Sequence, residues 1–190
     1  MTGEIDCIPL NPVSFAQGDL SMGKFALLFL IMSVSVVMTF AQKKTFILVR
    51  HAEKSATGDA ASMAKGDPDL SPEGRERAGR FAKRVKKYKP GEIYSTEYKR
   101  TRQTAESIAK LRGKTIQTYD PAKQADLISM MLNAKTKRFL IIGHSNTVTT
   151  LANLLLKKDI FKNLQDTEYG VFWVIRTKRG VVTKVEVFPY

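Results

Sequence analysis

The chain is poor in the residues on which several common chemistries depend. Its 190 residues include one cysteine, Cys7, and two histidines, His51 and His144. Two histidines, each near arginine, leave a zinc ion short of the three protein ligands of a catalytic site. No Gly-x-x-x-x-Gly-Lys-Ser/Thr or Gly-x-Gly-x-x-Gly motif occurs, so both nucleotide-binding fingerprints are missing. The Gly-His-Ser-Asn sequence at Ser145 lacks the second glycine of a nucleophile elbow, which argues against a serine hydrolase.

Acidic residues are also few. The chain has 18 of them against 31 basic ones, which gives a net charge of +13. Such an excess indicates an anionic partner, which can be a phosphorylated small molecule, an acidic surface or nucleic acid, or else a solvated basic surface. The basic residues lie on predicted helix faces, without a zinc-ligand pattern or interleaved stacking aromatics. This distribution disfavours nucleic acid as the partner.

The sequence from residue 22 to residue 41 has the layout of a signal peptide. Lys24 precedes an uncharged run from Phe25 to Gln42, and the small residues Thr39 and Ala41 fit positions −3 and −1 of a cleavage site. We expect cleavage after Ala41, which would remove Cys7 and export residues 42–190 to the periplasm or the medium. A retained membrane anchor is the alternative, although the run is slightly shorter than a spanning helix prefers. Residues 1–21 would then be an upstream extension or disordered.

Short apolar strands alternate with amphipathic helices through the remaining chain. This alternation predicts an α/β fold, a three-layer sandwich with a mainly parallel central sheet flanked by helices. Residues 170–177 and 181–188 predict a C-terminal antiparallel β-hairpin at the sheet edge. Strands are predicted at 45–49, 92–95, 114–119 and 138–143. The apolar helix faces are predicted as Ala78, Phe81, Ala82, Val85 and Tyr88, then Ala105, Ile108, Ala109 and Leu111, then Ala125, Leu127, Ile128, Met131 and Leu132, and finally Val148, Leu151, Leu154 and Leu155.

Both histidines directly follow predicted strands. Arg50 and His51 end the first strand, Arg100 follows the second at a helix start, and His144 follows the fourth. Ligands bind at the carboxyl ends of parallel strands, so these side chains are expected in one pocket, although each taken alone also fits a structural role. Guanidinium groups bind tetrahedral dianions bidentately, and a neutral imidazole can attack phosphorus. The pattern predicts phosphoryl transfer through histidine.

Four motifs together resemble the histidine phosphatase superfamily, which is phosphoglycerate-mutase-like, and specifically its branch 1. The resemblance covers residues 43 to 190. Its motifs are Arg50-His51-Ala52-Glu53, where the family has Arg-His-Gly-Glu, Leu70-Ser-Pro-Glu-Gly-Arg75, Tyr94-Ser95 through Arg100 with Gln103-Thr-Ala-Glu106, and Gly143-His144. In size the chain is similar to the small phosphohistidine-phosphatase-like members.

The resemblance implies a mechanism and a set of roles. His51 would be the nucleophile that becomes phosphohistidine, and Arg50, Arg100 and His144 would bind the transferring phosphoryl group. Water would then release inorganic phosphate, with no metal or other cofactor. Fixed positive charge around the phosphoryl oxygens is the expected source of catalysis. The implied substrate is a small phosphomonoester, a phosphohistidine-like compound or a phosphate group of the cell envelope.

The general acid is where the chain departs from the family pattern. Many members place a glutamate after the third strand to protonate the leaving oxygen, and residues 120–126 contain no such motif. Asp126, Asp120 and Glu97 are candidates in that order, and each also fits a structural role. A missing acid favours good leaving groups.

Three functions are therefore compatible with the sequence. The first is an exported phosphatase that needs no cofactor, with its specificity set by the loop from His51 to Asp69 and the segment around Asp120. The second is a catalytically weak phospho-ligand-binding protein on the same fold. The third is an anchored envelope protein whose basic face binds anionic lipid.

Overall fold

The computed structural model describes residues 42–56 and 66–190. The predicted upstream extension, signal peptide and cleavage after Ala41 lie outside these residues, as do residues 57–65 of the predicted specificity loop. Within the described residues, no helix has the length and apolar character needed to cross a membrane.

The described part of the chain forms one six-stranded sheet with four α-helices. The sheet order is β3-β2-β4-β1-β5-β6, in which β1 to β4 are parallel and β5 and β6 are antiparallel to their neighbours. The elements are β1 Lys43–Arg50, α1 Pro72–Val85, β2 Glu92–Ser95, α2 Lys99–Arg112, β3 Ile116–Thr118, α3 Gln124–Asn133, β4 Arg138–Gly143, α4 Thr147–Leu156, β5 Val171–Lys178 and β6 Val181–Pro189. A short 3₁₀ helix, Lys86–Tyr88, follows α1.

Helices cover both faces of the sheet. Successive strand residues point to opposite faces, so β1 contributes Phe46 and Leu48 to one core and Ile47 and Val49 to the other. The first core includes side chains of α3 and α4, and the second includes side chains of α1 and α2. The predicted three-layer α/β sandwich with a C-terminal hairpin is therefore confirmed.

Local sequence signals account for the ends of several elements. The Ser71 hydroxyl accepts a hydrogen bond from the Gly74 amide at 3.1 Å, so Ser71 is the N-cap of α1, with Pro72 at the first helical position. The β5–β6 hairpin turns at Arg179 and Gly180, whose φ angles are 54° and 75°. Two consecutive positive φ angles define the type I′ turn that matches the twist of a hairpin.

Several residues of the predicted apolar faces are exposed. Leu111 is 49% exposed, Leu154 is 39% exposed, and Ala125 is also at the surface. A helix turns about 100° per residue, which places each of these three roughly 110° from the centre of its own buried stripe. The prediction of strand 114–119 was also too long, because β3 pairs with β2 only through Ile116–Thr118.

Candidate active site

The carboxyl ends of β1 and β4 place the two histidines side by side. Arg50 pairs with Gly143 across the two strands, and the His51 amide donates to the Gly143 carbonyl at 2.9 Å. His51 directly follows Arg50, and His144 directly follows Gly143. The two imidazole rings meet edge to face, with their centroids 5.4 Å apart. The juxtaposition expected from the strand ends is present.

His51 is neutral, and its proton is on Nδ1. The ring is buried, and Nδ1 lies 2.7 Å from the Ala52 carbonyl oxygen. A carbonyl oxygen only accepts hydrogen bonds, so this contact requires the tautomer that carries hydrogen on Nδ1 and a lone pair on Nε2. Burial lowers the pKa of His51 to about 3, against the opposing effect of the Ala52 bond and with help from the nearby positive charges of Arg100 and Arg50. The side chain is thus in the form required of a nucleophile.

His144 has a similar electrostatic environment. Burial, together with the positive charges of Arg100 and Arg50, lowers its pKa to about 4. Its Nε2 lies 3.0 Å from the Thr96 hydroxyl, at the end of β2, and the Tyr98 ring packs against it edge to face at 4.9 Å. The residue before it, Gly143, has no room for a side chain, because an added Cβ would overlap the Thr147 hydroxyl.

Arg50 is anchored on one side and unpaired on the other. Its Nη1 donates to the carbonyls of Gln165 and Glu168 at 2.6 and 3.0 Å, and its Cζ lies 4.3 Å from the centre of the Tyr169 ring. Nη2 lies 3.7 Å from the fully exposed Asp166 carboxylate. Nε is buried and has no hydrogen-bond partner among the described residues. A buried guanidinium with an unpaired N–H is a costly arrangement unless a ligand supplies the acceptor.

Arg100 repeats this construction from α2. Its Nη1 donates to the Gly66 carbonyl at 3.1 Å and lies 3.5 Å from the Asp67 carboxylate, and its Cζ lies 4.3 Å from the centre of the Tyr98 ring. Its Nε is likewise buried without a described partner. Burial lowers the pKa of Arg100.

The two guanidiniums therefore share one design. Each is stacked on a tyrosine and bound to a loop through Nη1, which fixes its plane, while Nε has no acceptor among the described residues. The Nε–Nη2 edge presents two parallel N–H groups, which is the geometry that binds two oxygens of a phosphate. Together with the neutral imidazoles of His51 and His144, they suit a tetrahedral dianion.

A hydroxyl bridge connects the first motif to α2. The Ala52 amide donates to Thr104 Oγ1 at 3.0 Å, and that hydroxyl donates to the Arg100 carbonyl at 2.7 Å. The methyl group of Ala52, where the family has glycine, is fully buried with Leu70 and Ala78. The substitution is therefore accommodated by packing.

A second connection joins the segment after His51 to α1. Arg77 Nε donates to Glu53 Oε1 at 2.6 Å, and its Nη2 contacts the same oxygen. The Ser71 amide donates to the Glu53 carbonyl at 2.9 Å. Gly74 lies so close to Glu53 that a Cβ at this position would overlap the same carbonyl oxygen. The helix thus holds the segment that follows His51 by direct backbone approach.

The three predicted general acids do not contact the histidines or arginines of the pocket in the described residues. Asp126 is exposed in the first turn of α3. Asp120 is exposed, and its carboxylate accepts a hydrogen bond from the Ala122 amide at 2.9 Å. Glu97 is exposed in the loop between β2 and α2, next to Thr96. Their part in catalysis remains a prediction.

Sequence reasoning missed several side chains that support the pocket. Thr96 and Tyr98 lie inside the second arginine motif, so their position between a strand end and Arg100 was a usable signal. Tyr169 and the carbonyls of Gln165 and Glu168 lie in an irregular segment before β5, where no periodicity or motif marks them. In the described part of the chain, no group of three or more His, Cys, Asp or Glu residues is arranged to hold a metal ion.

Comparison with known families supports the motifs. The model of the histidine phosphatase superfamily (branch 1) matches residues 46–127, which confirms the predicted family resemblance and the predicted enzyme class, a phosphatase. No curated protein sequence matches the chain significantly.

Solved structures show the same fold. The protein histidine phosphatase SixA in complex with tungstate superposes with a TM-score of 0.61 at 14% identity, over 76% of this chain and 96% of that one. A mycobacterial glucosyl-3-phosphoglycerate phosphatase gives a TM-score of 0.59 at 12% identity, over 78% and 99% of the two chains. At these identities the likeness establishes the fold alone.

Proposed function

From the match of residues 46–127 to the histidine phosphatase superfamily and from the predicted signal peptide, we propose that this chain is an exported, metal-independent phosphatase that works through a phosphohistidine on His51. The observation that carries the proposal is the pair of equivalently built arginines beside a neutral imidazole. Both guanidiniums have a buried Nε without a described acceptor, and the His51 lone pair is free to attack.

In the first step, His51 Nε2 attacks phosphorus and the bond to the leaving oxygen breaks. The Nδ1–H bond to the Ala52 carbonyl becomes stronger as the imidazole gains positive charge, because a charged donor makes the stronger hydrogen bond. Arg50 and Arg100 hold the non-bridging oxygens, and His144 lies beside them. The two guanidinium groups stabilise the negative charge that spreads over the phosphoryl oxygens in a loose transition state.

In the second step, water attacks the phosphohistidine and inorganic phosphate leaves. The two guanidiniums supply the positive charge that a metal ion provides in other phosphatases, which is why we propose metal independence. As the water oxygen bonds to phosphorus, the P–N bond breaks and its electron pair returns to Nε2, which restores the neutral Nδ1–H form of His51. The proton that the water loses balances the negative charge on the departed leaving oxygen.

The proposed substrate is a small phosphomonoester, a phosphohistidine-like compound or an envelope phosphate group. Tungstate, which is bound to SixA, is a tetrahedral dianion of the kind this pocket suits. The structurally similar mycobacterial protein is named as a glucosyl-3-phosphoglycerate phosphatase, which is an enzyme for a small phosphomonoester. The predicted signal peptide favours a substrate outside the cytoplasm.

The test is turnover of an activated aryl phosphate by the purified full-length protein in the presence of EDTA. We expect phosphate release that is lost in His51→Asn, together with an acid-labile phosphorylated intermediate on His51 detected by mass spectrometry after rapid quenching at alkaline pH. Absence of turnover by the wild type in both the presence and absence of EDTA would contradict the phosphatase assignment.

The second candidate is a phospho-ligand-binding protein with weak catalysis. It is favoured by the lack of contact between the pocket and the predicted acids Asp126, Asp120 and Glu97. In this case the wild type would bind inorganic phosphate, measured by calorimetry, with loss of binding in Arg100→Lys, and would show no His51-dependent turnover.

A further inference from the structure

A tyrosine outside every predicted motif contacts the phosphate-binding machinery. Tyr169 lies just before β5, and its ring is stacked on the Arg50 guanidinium, with 4.3 Å between Cζ and the ring centroid. Its ring centroid is 6.2 Å from that of His51. Its charge state also affects the pKa of Arg100, which places the phenol within electrostatic range of both guanidiniums.

The hydroxyl of Tyr169 has a proton to give. Its described contact is with Arg50 Nη2 at 3.5 Å, and an arginine is always the donor in such a contact. The phenol oxygen therefore acts as the acceptor and its own hydrogen has no acceptor among the described residues. A phenol carries one donor hydrogen, so this group can donate to a ligand without losing an internal hydrogen bond.

Other donors near the pocket are less suitable. Asp67 and Asp166 face the guanidiniums of Arg100 and Arg50, where a carboxylate accepts N–H groups. His51 Nδ1 uses its hydrogen on the Ala52 carbonyl. Tyr98 also stacks on an arginine, but its hydroxyl has no described contact with a guanidinium.

We propose that Tyr169 is a catalytic residue that protonates the leaving oxygen, in place of the glutamate that many members of the family have after the third strand. This inference rests on the proposed phosphatase function. As His51 Nε2 bonds to phosphorus, the bond from phosphorus to the leaving oxygen breaks and the Tyr169 proton passes to that oxygen. The resulting phenolate, stabilised by Arg50, takes a proton from the water that attacks the phosphohistidine. Both residues then return to their starting forms.

The experiment compares leaving groups in Tyr169→Phe, which keeps the aromatic ring under Arg50 and removes the hydroxyl. The substrates are 2,4-dinitrophenyl phosphate, whose leaving group departs without a proton, and an alkyl phosphate such as glycerol 3-phosphate, whose leaving group needs one. The value of kcat/KM reports the phosphorylation step for both. We expect a loss of about 10²-fold or more with the alkyl phosphate and little change with the activated ester, as is typical of removing a general acid.

Two controls separate the proton from the ring. Tyr169→Ala removes the stacking as well and is expected to reduce kcat/KM for both substrates. Tyr88→Phe removes a phenol hydroxyl from the 3₁₀ helix, away from the pocket, and is expected to leave both values unchanged.

The outcomes distinguish this inference from the proposed function. If the wild type turns over both esters and Tyr169→Phe reduces them equally, or reduces neither, Tyr169 is not the acid although the phosphatase assignment stands. If the wild type turns over neither ester, the proposed function itself fails.

Discussion

At the scale of single residues, a neutral imidazole beside two guanidiniums determines what the pocket can do. Burial is the main reason that His51 and His144 stay uncharged, and the positive arginines add to it. Because Nδ1 of His51 donates to a carbonyl, Nε2 is a nucleophile without any base having to remove a proton. The site is thus ready to react at neutral pH.

The neutral state of both histidines should be visible by titration. The pKa values of about 3 for His51 and about 4 for His144 predict that neither ring gains a proton between pH 8 and pH 5. Proton NMR of the ring Cε1–H signals measures this directly in the full-length protein. A titration of either ring near its ordinary pKa of about 6.5 would contradict the prediction.

The same shift makes stability depend on pH. An unfolded histidine gains a proton as the pH falls below about 6.5, whereas the folded ones remain neutral, so acid favours the unfolded state. Each histidine then contributes a slope of up to about 1.4 kcal/mol per pH unit to the free energy of unfolding between its two pKa values. We expect the wild type to lose stability from pH 6.5 to pH 4 and His51→Asn to show a slope smaller by about one proton, measured by urea denaturation. An equal slope in both proteins would contradict burial of a neutral His51.

The planar Nε–Nη2 edge of Arg100 predicts that positive charge alone at this position is not sufficient for activity. Lysine retains the charge but lacks the Nε–Nη2 edge, so Arg100→Lys is expected to reduce kcat/KM by about 10²-fold, the loss of a charge-assisted bidentate contact. Arg102→Lys on the same helix is the matched control, since Arg102 is exposed and donates to the Thr118 hydroxyl at 3.3 Å. Comparable losses in both variants would contradict a specific role for the Nε–Nη2 edge of Arg100.

The limits of sequence reasoning are clear at this scale. The adjacency of Arg50, His51 and His144 follows from where two apolar strands end, since parallel neighbours deliver their next residues to one edge. Tyr169 could not be found in this way. Its segment is irregular, and its contact with Arg50 depends on how the chain returns from α4 to β5.

At the scale of elements, α1 acts on the site through a glycine. The helix approaches the backbone of Glu53 so closely that Gly74 has no space for a methyl group, and Arg77 one turn later pairs with the Glu53 side chain. Helix α1 and the segment that follows His51 are therefore held as one unit.

This contact predicts opposite effects for two glycines of α1. Gly74→Ala forces the helix or the Glu53 backbone to move and is expected to reduce the free energy of unfolding by about 1–3 kcal/mol. At Gly79, an added Cβ would meet no atom within 4 Å. Gly79→Ala is therefore expected to increase the free energy of unfolding by about 0.5–1 kcal/mol through better helix propensity. Urea denaturation of both variants checks the prediction. Stabilisation by Gly74→Ala would contradict the close contact between α1 and the Glu53 backbone.

The elements were largely predictable because their apolar patterns are strong. Ser71 and Pro72 marked the start of α1, and the continuous apolar run of β1 matched burial on both faces of the sheet. The errors at Leu111 and Leu154 have one cause. A leucine strengthens an apolar helix pattern even when it lies outside the part of the helix surface that is buried. Only the packing of neighbouring elements defines that buried part.

At the scale of the whole molecule, the predicted export signal is the part with the sharpest biochemical consequence. Expression in a Gram-negative host should give a mature protein that begins at Gln42 and is recovered in the periplasmic fraction, as measured by intact mass and N-terminal sequencing. Ala41→Trp should block cleavage, because the −1 position requires a small residue. Wild-type protein of full length in the membrane fraction would instead support the anchored alternative.

The register between β1 and β4 fixes the distance between the two histidines of the pocket. Arg50 and Gly143 are partners across two hydrogen-bonded strands, so the backbones of His51 and His144 are separated by one strand spacing, about 4.8 Å, and their ring centroids by 5.4 Å. That gap is a property of backbone hydrogen bonding and cannot widen without breaking the centre of the sheet. In the proposed phosphatase, changes in the surrounding loops would therefore alter which molecule carries the phosphate, while the size of the group that is transferred would stay the same.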